Sequence, residues 1–154
     1  MSIKNDEFWM KKALSLAKTA GEVDEVPVGA IIVKDDEIIS SGTNRREASN
    51  LSTAHAEIVA IEKANSILDS WRLSGATLYV TLEPCLMCAG ALYQSRISRV
   101  VYGASDPKGG ALGSLYNIHQ DSRLNHQFEV SSGILENECA QILKKFFRKK
   151  RKKN

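Results

Sequence analysis

Short β-prone apolar runs alternate with stretches of helical period along this chain, and that alternation limits its fold more than any other feature. Val28-Gly29-Ala30-Ile31-Ile32-Val33 is followed, across an Asp35-Asp36 turn, by Glu37 to Gly42, a pattern that predicts a hairpin. Ala76 to Thr81, Ser98 to Tyr102 and Phe128 to Val130 read as three further strands. Residues 6–20 place Phe8, Trp9, Ala13, Leu16, Ala17 and Ala20 at helical spacing, with Gly21 as a stop. Residues 54–68 put Ile58, Ile61, Ala64 and Leu68 on one helical face, capped by Thr53 or Ser52. Pro84 suits the first turn of a helix running to about Gln94. Ile134 to Arg148 is a last amphipathic helix that frays into a basic tail. Residues 43–53 form a polar loop, and residues 103–113 a Gly-rich one. The order α-β-β-α-β-α-β-loop-β-α predicts an α/β sandwich around one mixed sheet of five strands. Without a repeat or a Gly/Ser linker, residues 1–154 read as one domain.

Composition narrows the setting. Apolar residues make up 43% and charged residues 25%, a globular mix that argues against general disorder. No run approaches the roughly 18 apolar residues of a membrane span. The first residues, Met1-Ser2-Ile3-Lys4-Asn5-Asp6-Glu7, carry acids where a signal peptide needs an apolar stretch, so a cytoplasmic protein is expected. The net charge of +3 conceals an asymmetry: residues 144–153 hold eight bases and no acid, leaving the rest of the chain acidic. Such an end suits a polyanionic partner, and it equally suits a solvated, disordered terminus.

The chemistry gathers in two short segments. His55-Ala56-Glu57 and Pro84-Cys85-Leu86-Met87-Cys88 each sit at a predicted helix start, thirty residues apart from His55 to Cys85. Zinc binds imidazole nitrogen and thiolate sulfur tetrahedrally, so His55, Cys85 and Cys88 offer three ligands and leave a fourth position for water. A helix N-terminus also favours thiolates. An open metal position activates water near neutral pH, which is a catalytic arrangement. Glu57 follows His55 by two and so does not share its helical face. It is suited to moving protons beside the metal rather than binding it. Blander readings exist for each piece. With no export signal, the C-x-x-C pair could be a redox dithiol. It could also be half of a structural zinc site completed by Cys139, His119 or His126. Cys139 otherwise reads as a small buried apolar residue, and the two histidines as structural or exposed.

Together the segments make the signature H-x-E…P-C-x-x-C of zinc deaminases that act on nucleobases. The resemblance is wider than that. Val28-Gly29-Ala30, Thr53 to Glu57, Thr81 to Ala91, Gly103 to Lys108, Gly113-Ser114-Leu115 and Phe146-Phe147-Arg148 resemble the bacterial tRNA-specific adenosine deaminases, the TadA family. The likeness runs from about residue 6 to 150. It implies the three-layer α/β/α sandwich of cytidine deaminases and a homodimer. It implies one zinc per chain on His55, Cys85 and Cys88, with Glu57 as proton shuttle. The implied reaction is hydrolytic deamination of the wobble adenosine of a tRNA anticodon stem-loop to inosine. Asn44 would then bond the flipped nucleoside, Val28 line the base pocket, Asp106 contact a flanking nucleotide, and Phe147 pack near the anticodon loop. Each of these four has a plain structural reading as well. Asn44 shapes a loop, Val28 is core, Asp106-Pro107 is a turn pair, and Phe147 belongs to a buried helix face. Two other functions compete: a deaminase of a free base or nucleotide, and a non-enzymatic RNA-binding protein stabilised by zinc. The basic end argues against the first and Glu57 against the second.

Overall fold

A computed structural model describes residues 4–153 of the chain. Residues 1–3, on which part of the signal-peptide reading rests, and residue 154 lie outside the described residues.

Five strands form one sheet: β1 (Gly29–Lys34), β2 (Glu37–Thr43), β3 (Thr77–Leu82), β4 (Arg99–Ala104) and β5 (Glu129–Ser131), in the order β2-β1-β3-β4-β5. β1 is antiparallel to both β2 and β3, while β3, β4 and β5 are parallel, so the sheet is mixed as expected. The β1–β2 hairpin turns on Asp35 and Asp36 at φ 51° and 59°, the two positive values of a type I′ turn, where a short polar side chain is tolerated. A bulge between Ile32 and Val33 gives β2 one extra residue.

Strand residues alternate between two cores. Ala30, Ile32, Leu78, Val80 and Val100 face one side, with Ala56, Ala60 and Ile61 of α3 (Ala56–Leu68) and Ala89 and Leu92 of α4 (Leu86–Gln94). Ile31, Val33, Tyr79 and Val101 face the other, against Trp9, Met10, Ala13 and Leu14 of α1 (Asp6–Glu22) and Cys139 of α5 (Glu136–Lys153). The period of two in the strands therefore feeds two helical layers, and the molecule is the expected three-layer α/β/α sandwich. No helix among the described residues is long and apolar enough to cross a membrane.

Four local expectations need correction. The residue 43–53 segment is not all loop: Arg46–Ser49 forms one helical turn, α2. Its N-terminal N–H groups at Glu47 and Ala48 donate to the carboxylate of Glu25 at 3.1 and 2.8 Å, a partner 22 residues away that no local pattern reveals. The cap of α3 is His55, not Thr53 or Ser52, and it makes no side-chain capping bond. Pro84 lies just before the helix, whose cap is Cys85. The basic end does not fray after Arg148, because α5 continues to Lys153. Lys150 Nζ meets Asp24 Oδ2 at 2.6 Å, tying the basic end back to the body.

Candidate active site

The topology brings the chemistry to one end of the sheet. Because β1 runs antiparallel to β3, the start of β1 at Val28 and Gly29 lies beside the end of β3 at Leu82. Thr43 at the end of β2 pairs with Gly29, so Asn44 emerges at the same edge. The α3 layer is set by small contacts: Ser40 Oγ donates to Ala60 O at 2.7 Å, and Gly42 has no side chain, so the Ala56 carbonyl lies directly over it. Any Cβ at Gly42 would collide with that carbonyl. The first turn of α3, carrying His55 and Glu57, is thereby pressed against the end of β3, where Pro84 and Cys85 start α4.

His55, Cys85 and Cys88 converge. Their ligand atoms all lie within 4.8 Å of one another, with Nδ1 of His55 3.7 Å from Cys85 Sγ and 3.5 Å from Cys88 Sγ. A tetrahedral zinc with ordinary Zn–N and Zn–S lengths requires an N···S separation of about 3.6 Å. The three residues therefore fit zinc in spacing as well as in donor type, and they form the one such cluster among the described residues. Cys139, His119 and His126, the possible fourth ligands of a structural site, are not part of it. Cys139 is instead fully buried under Gly103, and His126 Nε2 lies 2.7 Å from Ile97 O.

The electrostatics fit the same use. The hydrogen bond from the Cys88 thiol, followed by His55 and the Cys88 backbone N–H, holds the Cys85 thiol down at about 3 despite burial. Cys88 is pushed up by that same bond and by burial, so the two sulfurs share one proton. A dication among them supplies the charge that lets both be thiolates. The bond to Cys85 raises His55. Glu57 is 4% exposed, and burial pushes its carboxyl up to about 7, in the range where a carboxyl can both accept and give protons near neutral pH.

His55, Glu57 and Cys85 open onto a cavity of about 150 Å³, with Cys88 buried behind them, and Val28, Asn44, Arg46, Glu83 and Asp106 complete its lining. That volume falls below the roughly 300–1,000 Å³ of sites for drug-sized ligands, so the cavity takes one ring system rather than a whole nucleotide. Val28 is both core and pocket wall. Asn44 Oδ1 accepts from Arg46 N at 3.3 Å, and Asp106 Oδ1 accepts from the N–H groups of Lys108 and Gly109 at 3.1 Å each, so both also shape their loops. Phe147 lies outside this cavity. It is 43% exposed on α5 and lines an adjoining groove with Phe146, Lys150 and Asn50, which shares Asn44 and Arg46 with the pocket. Sequence reasoning gave no role to Arg46, Glu83 or Glu25. The acid directly before Pro84-Cys85 was the available signal for Glu83, and nothing local marked the other two.

The MafB19-like deaminase family profile matches residues 4–151. A tRNA-specific adenosine deaminase of Bacillus subtilis (strain 168) is 55% identical over 148 residues, covering 96% of this chain and 92% of the relative. The chain belongs to the tRNA-specific adenosine deaminase family. Among solved structures, one from a study of A-to-I editing by tRNA:A34 deaminases at the wobble position of transfer RNA superposes with a TM-score of 0.85. It is 48% identical and covers 88% of this chain and 99% of that one. A guanine deaminase from Nitrosomonas europaea superposes at 0.82 with 25% identity, covering 95% and 86%. The chain is thus an enzyme, a zinc-dependent deaminase of the cytidine-deaminase superfamily, with the deaminase fold wrapped around a His/Cys/Cys cluster and a buried glutamate.

Proposed function

We infer that this deaminase converts the wobble adenosine of a tRNA anticodon to inosine, releasing ammonia, with one zinc held by His55, Cys85 and Cys88. The observation that carries the reading is the His55–Cys85–Cys88 cluster opening, beside buried Glu57, onto a cavity sized for one base in a chain 55% identical to a tRNA-specific adenosine deaminase. Zinc bound there supplies the Lewis acidity that makes water a nucleophile near neutral pH.

The chain's residues do the rest. Glu57 takes a proton from the attacking water and gives it to the ring nitrogen, then takes a second from the new hydroxyl on carbon 6 and gives it to the amine, which departs as ammonia. Val28 presses on the flat face of the base, and Asn44 bonds the nucleoside from the end of β2. Asp106 meets a flanking nucleotide. The groove with Phe147 receives the anticodon loop, and the basic end of α5 neutralises phosphates nearby. An anticodon loop presents bases already part-unstacked, which lowers the cost of delivering one into so small a cavity. The working unit is one deaminase domain over residues 1–154, acting in the cytoplasm as a homodimer.

The likeness to a guanine deaminase favours a second reading, a free-purine deaminase, because the metal cluster serves either substrate. Purified protein incubated with total bacterial tRNA, and separately with free guanine and free adenosine, decides between them. Inosine at the wobble position is expected, and faster turnover of a free base would favour the second reading.

A further inference from the structure

Glu83 is a buried carboxylate that neither the zinc cluster nor the proton transfer uses. It is 2% exposed, and among the described residues it forms no ion pair. Four donors surround it instead, all from one segment. Asp106 N donates to Oε1 at 3.0 Å, and the Ser114 hydroxyl donates to the same oxygen. Leu112 N and Ser114 N donate to Oε2 at 3.1 and 3.0 Å. Gly110 lies against the carboxyl so closely that any Cβ there would overlap it. The two chain segments are further joined by a bridge between Cys85 and Gly110 and by Ala111 N donating to Pro84 O at 2.9 Å.

A buried charge with only N–H and O–H partners is tolerated when every lone pair is met, and it becomes costly when a donor moves away. Glu83 therefore has one low-energy arrangement, with the 106–114 segment closed around it. The same glutamate stands two residues before Cys85. One side chain thus fixes the distance between the metal-binding start of α4 and the loop that brings Asp106 to the pocket.

We propose that Glu83 is a positioning residue for substrate, clamping the 106–114 loop so that Asp106 stands at a fixed offset from the zinc cluster. The proposal rests on the tRNA reading for its substrate, while the clamp itself can be read without one. Glu83→Gln keeps the volume but cannot satisfy all four donors. An amide oxygen can serve Leu112 and Ser114 N–H groups, and an amide nitrogen can face the Ser114 hydroxyl, which leaves the Asp106 N–H without an acceptor.

The test compares holoenzyme variants on an anticodon stem-loop, with amide hydrogen exchange measured in parallel. In Glu83→Gln we expect one zinc per chain, faster exchange at Asp106, Leu112 and Ser114, and KM raised by about tenfold or more. Misplacements of about 1 Å cost up to about 100-fold. Because Glu83 acts through Asp106, the same change on an Asp106→Ala background should raise KM less than about twofold, the sign of coupled sites. Ser114→Ala, which removes one donor and keeps the backbone bonds, should show a smaller shift in the same direction if Glu83→Gln does not fold. Wild-type exchange and KM in both variants, or an equal fold-change with and without Asp106, would overturn the clamp. Absence of inosine from the wild-type enzyme would instead overturn the tRNA reading, and the exchange data alone would then decide the clamp.

Discussion

Replacing Glu57 by Gln separates proton transfer from metal binding. The amide matches the carboxylate in shape, and the three zinc ligands are untouched, so zinc content should stay at one per chain. What is lost is a group that takes and returns protons. Positioned acid–base groups contribute about 100- to 10,000-fold, equivalent to about 2.7–5.4 kcal/mol of barrier. The structure points to the upper part of that range. Glu57 is 4% exposed, and a base seated in the cavity of about 150 Å³ occupies the space that bulk water would need to stand in for it. Burial also raises the Glu57 carboxyl above its ordinary value, which makes it a readier proton acceptor. Single-turnover inosine formation on a stem-loop, with zinc measured by atomic emission on the same preparation, gives the answer. Activity within about tenfold of wild type at full zinc occupancy would refute the proton-shuttle role.

Three further outcomes are expected. Cys85→Ala or Cys88→Ala should lose both zinc and activity, because each removes one of three donors that the 3.5 and 3.7 Å spacings bring together; a full zinc equivalent in either would mean the ligands are misassigned. Truncation after Phe147 removes the six bases from Arg148 to Lys153 and should flatten the salt dependence of RNA binding, by up to about 4 in the log–log slope at about 0.7 per phosphate contact; an unchanged slope would make the end a solvated one. His119 is 7% exposed, its Nδ1 has no partner among the described residues, and burial lowers its pKa, so the unfolded chain takes up a proton near 6.5 that the folded chain resists. Stability should therefore fall as pH drops below about 6.5, and His119→Gln should show a smaller loss of Tm between about pH 8 and about pH 5.5; an equal loss in the variant would remove His119 as the cause.

Much of this was legible in the residues, for identifiable reasons. The five strands were readable because their apolar runs are short, β-branched and bounded by turn residues, and the mixed sheet followed from their alternation with helices. His55, Glu57, Cys85 and Cys88 stood out because metal chemistry restricts donor types and spacing so strongly. What escaped depends on contacts between distant parts of the chain. The α2 turn exists because Glu25 reaches its N–H groups from 22 residues away. The cap of α3 falls at His55, whose side chain faces the two cysteines instead of capping the helix, and Thr53 lies outside it. The last helix extends through its bases where Lys150 finds Asp24, 126 residues earlier. Glu83 read as part of a motif, but its hold on Asp106, Leu112 and Ser114 depends on a loop closing from 23 to 31 residues downstream.

The central claim is that the cluster and Glu57 serve a wobble adenosine presented by RNA. Its most direct test is the rate of inosine formation from an anticodon stem-loop set against ammonia release from free adenosine, adenine, cytidine and guanine at equal concentration. The account predicts that the stem-loop reacts far faster than any free compound, since only it offers a flanking nucleotide to Asp106 and phosphates to the basic end. Faster reaction of free guanine or of cytidine would leave the metal chemistry standing and contradict the assignment to tRNA.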